Sequence, residues 1–177
     1  MLSEKPSFTE IIYQRDTCII HIITKGEQIV HLTFSEDHHF DAVHRLSSIF
    51  GFPVTQKDSD KAEPLRIQLD EYLTGRRRQL ELPINPFFVD QATIFRQRVW
   101  QRLTAIPYGR TRSYGQIAAQ LGNPACARAV GQACNANPLA LIIPCHRVVG
   151  SRNTGGFSGG TAIKESLLQL EQNGEVI

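Results

Sequence analysis

The chain has 177 residues, 41% of them apolar and 20% charged, enough to bury a core as one domain or as two small ones sharing an interface. This balance excludes a disordered or fibrous protein. No apolar run is long enough to span a bilayer, and Met1-Leu2-Ser3-Glu4-Lys5-Pro6 lacks the charged and apolar regions of a secretory leader, so an intracellular protein is expected. Cys18, Cys126, Cys134 and Cys145 show no CxxC spacing and are expected to be free thiols. The net charge of +2 hides an asymmetry: residues 1–85 carry 10 Lys/Arg against 13 Asp/Glu, residues 86–177 carry 9 against 4. The second half is the one suited to a polyanionic partner.

In chain order, the apolar, β-branched segments Glu10–Tyr13, Thr17–Thr24 and Gln28–Phe34, with the turn Lys25-Gly26-Glu27 between the last two, predict an antiparallel meander. Residues 38–50 read as a helix that stops at Gly51. A second helix has Pro64 near its start, Leu65, Leu69, Tyr72 and Leu73 on one face, and Gly75 past its end. Arg76-Arg77-Arg78 reads as its solvated end. The prolines of Leu82-Pro83-Ile84-Asn85-Pro86 disfavour regular structure and mark a boundary, giving a supporting α/β domain over 1–85 and a second domain over 86–177.

In the second domain, Phe95, Val99 and Leu103 recur at i, i+4 and i+8, predicting a helix over Asp90–Thr104 with Arg96, Arg98 and Arg102 on its outer side. Ile106-Pro107-Tyr108-Gly109 is a turn, and Ser113 is placed to cap a helix Tyr114–Leu121. Gly122-Asn123-Pro124 ends that helix, and Ala125–Cys134 follows as another. Two short helices across a Gly-containing turn form a helix-turn-helix pattern over about 114–134. Arg128 is the only cation of the second helix, amid Ala and Gly, too little for major-groove base reading. Its smoothness suits either a narrow groove approached closely or tight packing against neighbouring helices.

Leu139-Ala140-Leu141-Ile142-Ile143 predicts a buried strand or extended segment ending in Pro144-Cys145-His146-Arg147-Val148-Val149. A thiol leaving a core element beside an imidazole has the ingredients of an activated nucleophile. The same pattern is also met with inert core cysteines.

The string Ile143-Pro144-Cys145-His146-Arg147-Val148 resembles the acceptor motif of the O6-alkylguanine-DNA alkyltransferases, the methylated-DNA–protein-cysteine methyltransferases. Phe95, Val99-Trp100, Ile106-Pro107-Tyr108-Gly109, Ser113-Tyr114-Gly115, Arg128-Ala129-Val130-Gly131, Asn137-Pro138, Gly155-Gly156-Phe157-Ser158-Gly159-Gly160, Lys164, Leu167-Leu168 and Glu171 follow in the family's order and spacing. The first half matches only diffusely, through Leu69, Tyr72-Leu73, Gly75 and Leu82-Pro83.

The resemblance implies an α+β protein: a ribonuclease H-like antiparallel sheet with helices, then a mostly helical winged helix-turn-helix domain with the active-site motif at 144–148. It implies direct, stoichiometric, irreversible transfer of an alkyl group from O6 of guanine in double-stranded DNA to Cys145, the base being flipped out through the minor groove. His146 would take the thiol proton through a water, oriented by Glu171, with Asn137 tying the reactive segment to the DNA-binding helices. Tyr114, Phe157, Ser158 and Val148 would bind the base; where some relatives have tyrosine at 157, this chain has Phe157, which keeps the pocket wall without a hydroxyl. Arg128 would fill the vacated space, with Ser113, Ala127, Ala129 and Gly131 beside it on the DNA. Some members bind zinc in the first domain; Cys18, His21, His31, His38 and His39 are the available ligands here, but Cys18 and His21 fall in a strand pattern, so no metal or other cofactor is expected. A monomer is expected, not membrane-bound, cytoplasmic and nucleoid-associated in a prokaryote. A non-catalytic DNA binder is the rival reading, against which Cys145 stands with His146 and Glu171; a thiol hydrolase would instead turn over repeatedly and need no DNA.

Overall fold

The computed structural model describes residues 8–16, 18–35, 54–56, 62–174 and 176. Three antiparallel strands open the fold: β1 (Phe8–Arg15), β2 (Cys18–Lys25) and β3 (Gln28–Ser35). A short fourth strand, β4 (Val54–Gln56), which the sequence pattern does not announce, pairs parallel to β1 and completes the order β3-β2-β1-β4. The helix expected over 38–50 lies outside the described residues.

Helix α1 (Glu63–Leu73) carries Pro64 in its first turn and buries Leu65, Leu69, Tyr72 and Leu73, the periodic face read from sequence. It is tied to β1 by Tyr13 Oη and Arg15, both donating to Asp70. The arginine run at its end makes local ion pairs, Arg76 with Asp70 and Arg77 with Glu71, both at 2.7 Å.

The second half differs from expectation at its first helix. Instead of one helix from Asp90 there are two, α2 (Phe87–Asp90) and α3 (Ile94–Thr104). The break falls before Thr93, whose extended backbone lets its hydroxyl accept from Arg96 N and cap α3. On α3, Val99, Trp100 and Leu103 face the core while Arg96, Arg98 and Arg102 are exposed. Strand β5 (Arg112–Ser113) leads into α4 (Tyr114–Gln120); a 3-10 turn, Pro124–Cys126, then leads into α5 (Ala127–Asn135). Ser113 caps α4 in a full capping box: its Oγ accepts from Gln116 N at 3.1 Å, and Gln116 Oε1 accepts from Ser113 N at 2.8 Å. The expected cap and helix pair are therefore present. The chain closes with β6 (Val148–Val149), parallel to β5, and α6 (Thr161–Asn173).

The outer edge of β3 fixes where the second half sits. Ile29 N donates to Pro83 O at 2.7 Å, and Leu32 N donates to Pro138 O at 2.8 Å. Ala140 N then donates back to Leu32 O at 2.9 Å. An open strand edge is thus covered by the connector and by the segment that leads to Cys145. Among the described residues no helix is long and apolar enough to cross a membrane.

Candidate active site

The segment before Cys145 is not the strand that its apolar run predicts. A single bridge, Leu32↔Leu139, is followed at once by a buried turn in which Leu141 adopts φ 67°. Apolar composition signals burial, but a strand needs a continuous partner, and β3 offers one only at Leu32. Asn137, 8% exposed, holds the turn from within. Its Oδ1 accepts from Leu139 N at 3.0 Å, and its Nδ2 donates to Ile143 O at 2.7 Å and to Cys145 Sγ at 3.1 Å. Asn137→Ala should cost about 2–4 kcal/mol of stability, because it deletes these bonds and leaves buried partners unsatisfied; chemical denaturation measures it.

Cys145, 3% exposed, starts a one-turn 3-10 helix, Cys145–Arg147, that also buries His146 and Arg147. His146 Nε2 meets Glu171 Oε1 at 2.8 Å. Glu171 projects from the last turns of α6 and is surrounded by donors: Arg147 Nε reaches Oε2 at 2.9 Å, Arg147 Nη2 reaches Oε1 at 3.0 Å, and Gly109 N reaches Oε2 at 3.0 Å. Tyr72 Oη donates to Oε1 as well. Gly109 has φ +72°, and a Cβ there would lie 2.8 Å from the backbone carbonyl oxygen of Glu171, so the turn can pack this closely against the end of α6 only as glycine.

These contacts decide the resting protonation states. Burial acts upward on the Glu171 carboxyl, but the hydrogen bonds and charges of His146 and Arg147 outweigh it and hold the pKa at about 2. Burial lowers the His146 pKa, with Glu171 offsetting only part, so the imidazole rests neutral at pH 7. Burial raises the Cys145 pKa against the opposing pull of Asn137 Nδ2 and Lys164, so the sulfur rests as a thiol. The site is a neutral thiol and a neutral base, not a standing ion pair. Because Glu171 binds its proton less tightly folded than unfolded, its contribution to stability is complete above about pH 4.5 and is lost as pH falls toward 2. Acid unfolding of the parent should show this loss, and Glu171→Gln should flatten it.

Cys145 lies in a cleft of about 760 Å³ whose lining includes Ser113 and Tyr114 from the start of α4, Ala127, Arg128 and Gly131 from α5, and Phe157 and Ser158 from the loop before α6. The structure thus gathers most of the sequence-predicted residues around one thiol. His146, Glu171 and Asn137 sit behind it in the core. Val148 does not line the cleft: its side chain is buried, and its carbonyl accepts from Lys164 Nζ at 2.5 Å. Ala129 is likewise off the lining. Gly155, at φ +74°, passes so close to Tyr114 that a Cβ would fall 2.8 Å from the phenol oxygen. Burial pushes the Tyr114 pKa up to about 12, which keeps its hydroxyl a donor.

Three further buried polar residues at this centre were given no role in the sequence reading, although all three stand at positions that resemble the family. Arg147 and Tyr72 hold Glu171, and Lys164, fully buried, donates from Nζ to Val148 O and Gly156 O and so pins the cleft loop. The signal available was the resemblance itself: Arg147 lies inside the acceptor motif, and Lys164 and Tyr72 are among the resembling positions, but nothing local to any of the three announces a buried polar role. Cys18, His21 and His31 lie in the sheet, His38 and His39 lie outside the described residues, and among the described residues no three ligands cluster to hold a metal.

Comparison with known proteins gives matches across both halves. Residues 19–86 match the family model "6-O-methylguanine DNA methyltransferase, ribonuclease-like domain", and residues 94–173 match "6-O-methylguanine DNA methyltransferase, DNA binding domain". A methylated-DNA–protein-cysteine methyltransferase of Methanosarcina acetivorans is 46% identical over 105 residues, 59% of this chain and 65% of that protein. The inducible Bacillus subtilis protein of that name is 41% identical over 117 residues, 66% of this chain and 63% of that protein. The matched segment therefore spans a little under two thirds of these relatives. The structure superposes on Mycobacterium tuberculosis OGT in complex with DNA with a TM-score of 0.75 at 31% identity, over 96% of this chain and 95% of that one. With a solved relative matched over nearly its whole length and both halves recognised, the chain belongs to the 6-O-methylguanine DNA methyltransferase family.

Proposed function

We propose that the protein repairs double-stranded DNA by moving the alkyl group of O6-alkylguanine onto Cys145, once per molecule and irreversibly. The observation that carries this reading is the position of the Cys145 thiol in a cleft lined by both helices of the helix-turn-helix, backed by the buried His146–Glu171 pair. O6 of guanine is stacked inside a duplex, so the nucleotide must be extruded to reach the sulfur. α5 is narrow enough, with Ala127, Ala129 and Gly131, to sit in a minor groove, and exposed Arg128 is placed to fill the gap the base leaves. Residues 1–85 then support the acceptor segment, and residues 86–177 bind DNA and react.

In the reaction the Cys145 proton passes to neutral His146 through a water, the sulfur forms a bond to the alkyl carbon, and the carbon–O6 bond breaks with its electron pair kept by guanine. Tyr114 Oη, a neutral donor, meets guanine N3 as charge develops, backbone amides near Cys145 and Ser158 meet the base edge, and Phe157 walls the pocket. Glu171 stays ionised and supports the imidazolium. None of these steps requires a cofactor. We place the protein in the cytoplasm as a monomer, on the nucleoid in a prokaryote.

A thioether has no easy route back to thiol, so incubating the protein with excess O6-methylguanine duplex should restore one guanine per chain and then stop. Repeated turnover would refute the reading. His146→Ala or Glu171→Gln should slow the single turnover on the order of 10²-fold, the usual loss on removing a general base; rapid-quench kinetics at neutral pH measure it.

A further inference from the structure

One polar group of the first half enters the buried relay. Tyr72, on α1 and 1% exposed, donates its hydroxyl to Glu171 Oε1, the oxygen that also meets His146 Nε2 at 2.8 Å. Arg147 Nη2 lies 3.3 Å from the same phenol oxygen, and the Tyr108 ring packs edge-on with centroids 5.9 Å apart. The two bonded residues are 99 positions apart in the chain, so the base of the acceptor half is reached from the supporting half.

We propose that Tyr72 is a positioning residue for alkyl transfer: its hydrogen bond to Glu171 Oε1 draws carboxylate charge away from His146 and so sets how readily that imidazole accepts the Cys145 proton. This rests on the relay described under Proposed function.

The physical reason is competition at one oxygen. Oε1 accepts from His146, Tyr72 and Arg147, and each further donor weakens its pull on an imidazolium. A base that is to receive the thiol proton must be neutral at rest; a carboxylate free to hold an imidazolium would leave it occupied. The charged and titratable groups around His146 and Glu171 are Cys145 and Arg147 on the same 3-10 turn, Lys164 on α6, Tyr108 after α3 with Arg78 against its ring, and Tyr72 on α1. Among the described residues Tyr72 is the neutral side chain that donates to Oε1 alongside His146, so it can be altered without changing the charge of the site. Its phenol stays protonated, since burial and then Glu171 push its pKa well above 10.

The test is the pH dependence of single-turnover methyl transfer from an O6-methylguanine duplex to the full chain, parent against Tyr72→Phe. Losing the competing donor should raise the His146 pKa, so the low-pH limb of the variant should move to higher pH by about half a unit or more. Incorporating 3-fluorotyrosine at position 72 keeps the ring and makes the hydroxyl a stronger donor, and the limb should move the opposite way. A purely structural tyrosine would lower thermal stability on substitution and leave the limb in place. Superimposable limbs for parent and Tyr72→Phe overturn the proposal; if Tyr72→Phe does not fold, an unmoved limb in the fluorinated protein overturns it. A parent that transfers no methyl group at any pH refutes the proposed function itself, an outcome distinct from an unmoved limb in an active protein.

Discussion

Cys145→Ala is expected to abolish alkyl transfer while leaving duplex binding within about two-fold of the parent. The substitution removes the only atom that makes the new bond, at a residue 3% exposed, whereas the exposed face of the helix-turn-helix is untouched. The competing acceptor is Cys134, which lines the same cleft. Burial pushes its pKa up to about 12, so almost none is thiolate at neutral pH. Cys145 differs in the donor that Asn137 places on its sulfur and in the imidazole that follows it, with Glu171 bonded behind. Methyl-transfer assays alongside an electrophoretic mobility shift on the same duplex separate chemistry from binding. Methyl appearing on Cys134 of the variant at the parental rate would show that the relay behind Cys145 is not what activates the acceptor.

The second large effect concerns Arg128. Extruding a nucleotide costs a few kcal/mol, which something inserted into the duplex must partly offset, and Arg128 is the only cation on α5. Arg128→Ala should therefore slow repair of duplex DNA on the order of 10²-fold, since each 1.4 kcal/mol is a factor of ten. Reaction with free O6-alkylguanine, which needs no extrusion, should change by less than about two-fold. An arginine acting only on a phosphate would instead weaken binding to all DNA and lower the salt slope by about one. Equal loss on duplex and free base would place Arg128 in the reaction pocket or the fold and end its assignment as the residue that holds the flipped state open.

Local signals were legible where local chemistry makes the structure. Ser113 followed by Gln116 encodes the capping box of α4, and the spacing of Leu65, Leu69 and Tyr72 encodes the buried face of α1. Thr93 before Ile94 carries the same kind of signal for the start of α3, where the apolar period Phe95, Val99 and Leu103 by itself leaves the N-terminal bound open. The turn over 139–143 was illegible for another reason: its hydrogen bonds come from the Asn137 side chain and from Leu32, more than a hundred residues upstream, so its apolar composition could report burial and nothing of shape. At the site, the resemblance of residues 143–148 pointed to Cys145, His146 and Glu171, and these last two are in contact. Tyr72 and Arg147 escaped because a tyrosine on a helix's apolar face reads as packing, and the acceptor motif that contains Arg147 says nothing of that side chain's partner, until the fold brings both to one carboxylate.

The central claim is that Cys145 itself takes the alkyl group. Its most direct test is mass spectrometry of the intact protein and of its peptides after mixing with duplex DNA containing O6-methylguanine. The prediction is one methyl group in place of one proton, on the peptide that carries Cys145, with guanine restored in the DNA. An unchanged protein mass beside repaired DNA, or the methyl group on Cys18, Cys126 or Cys134, would contradict it.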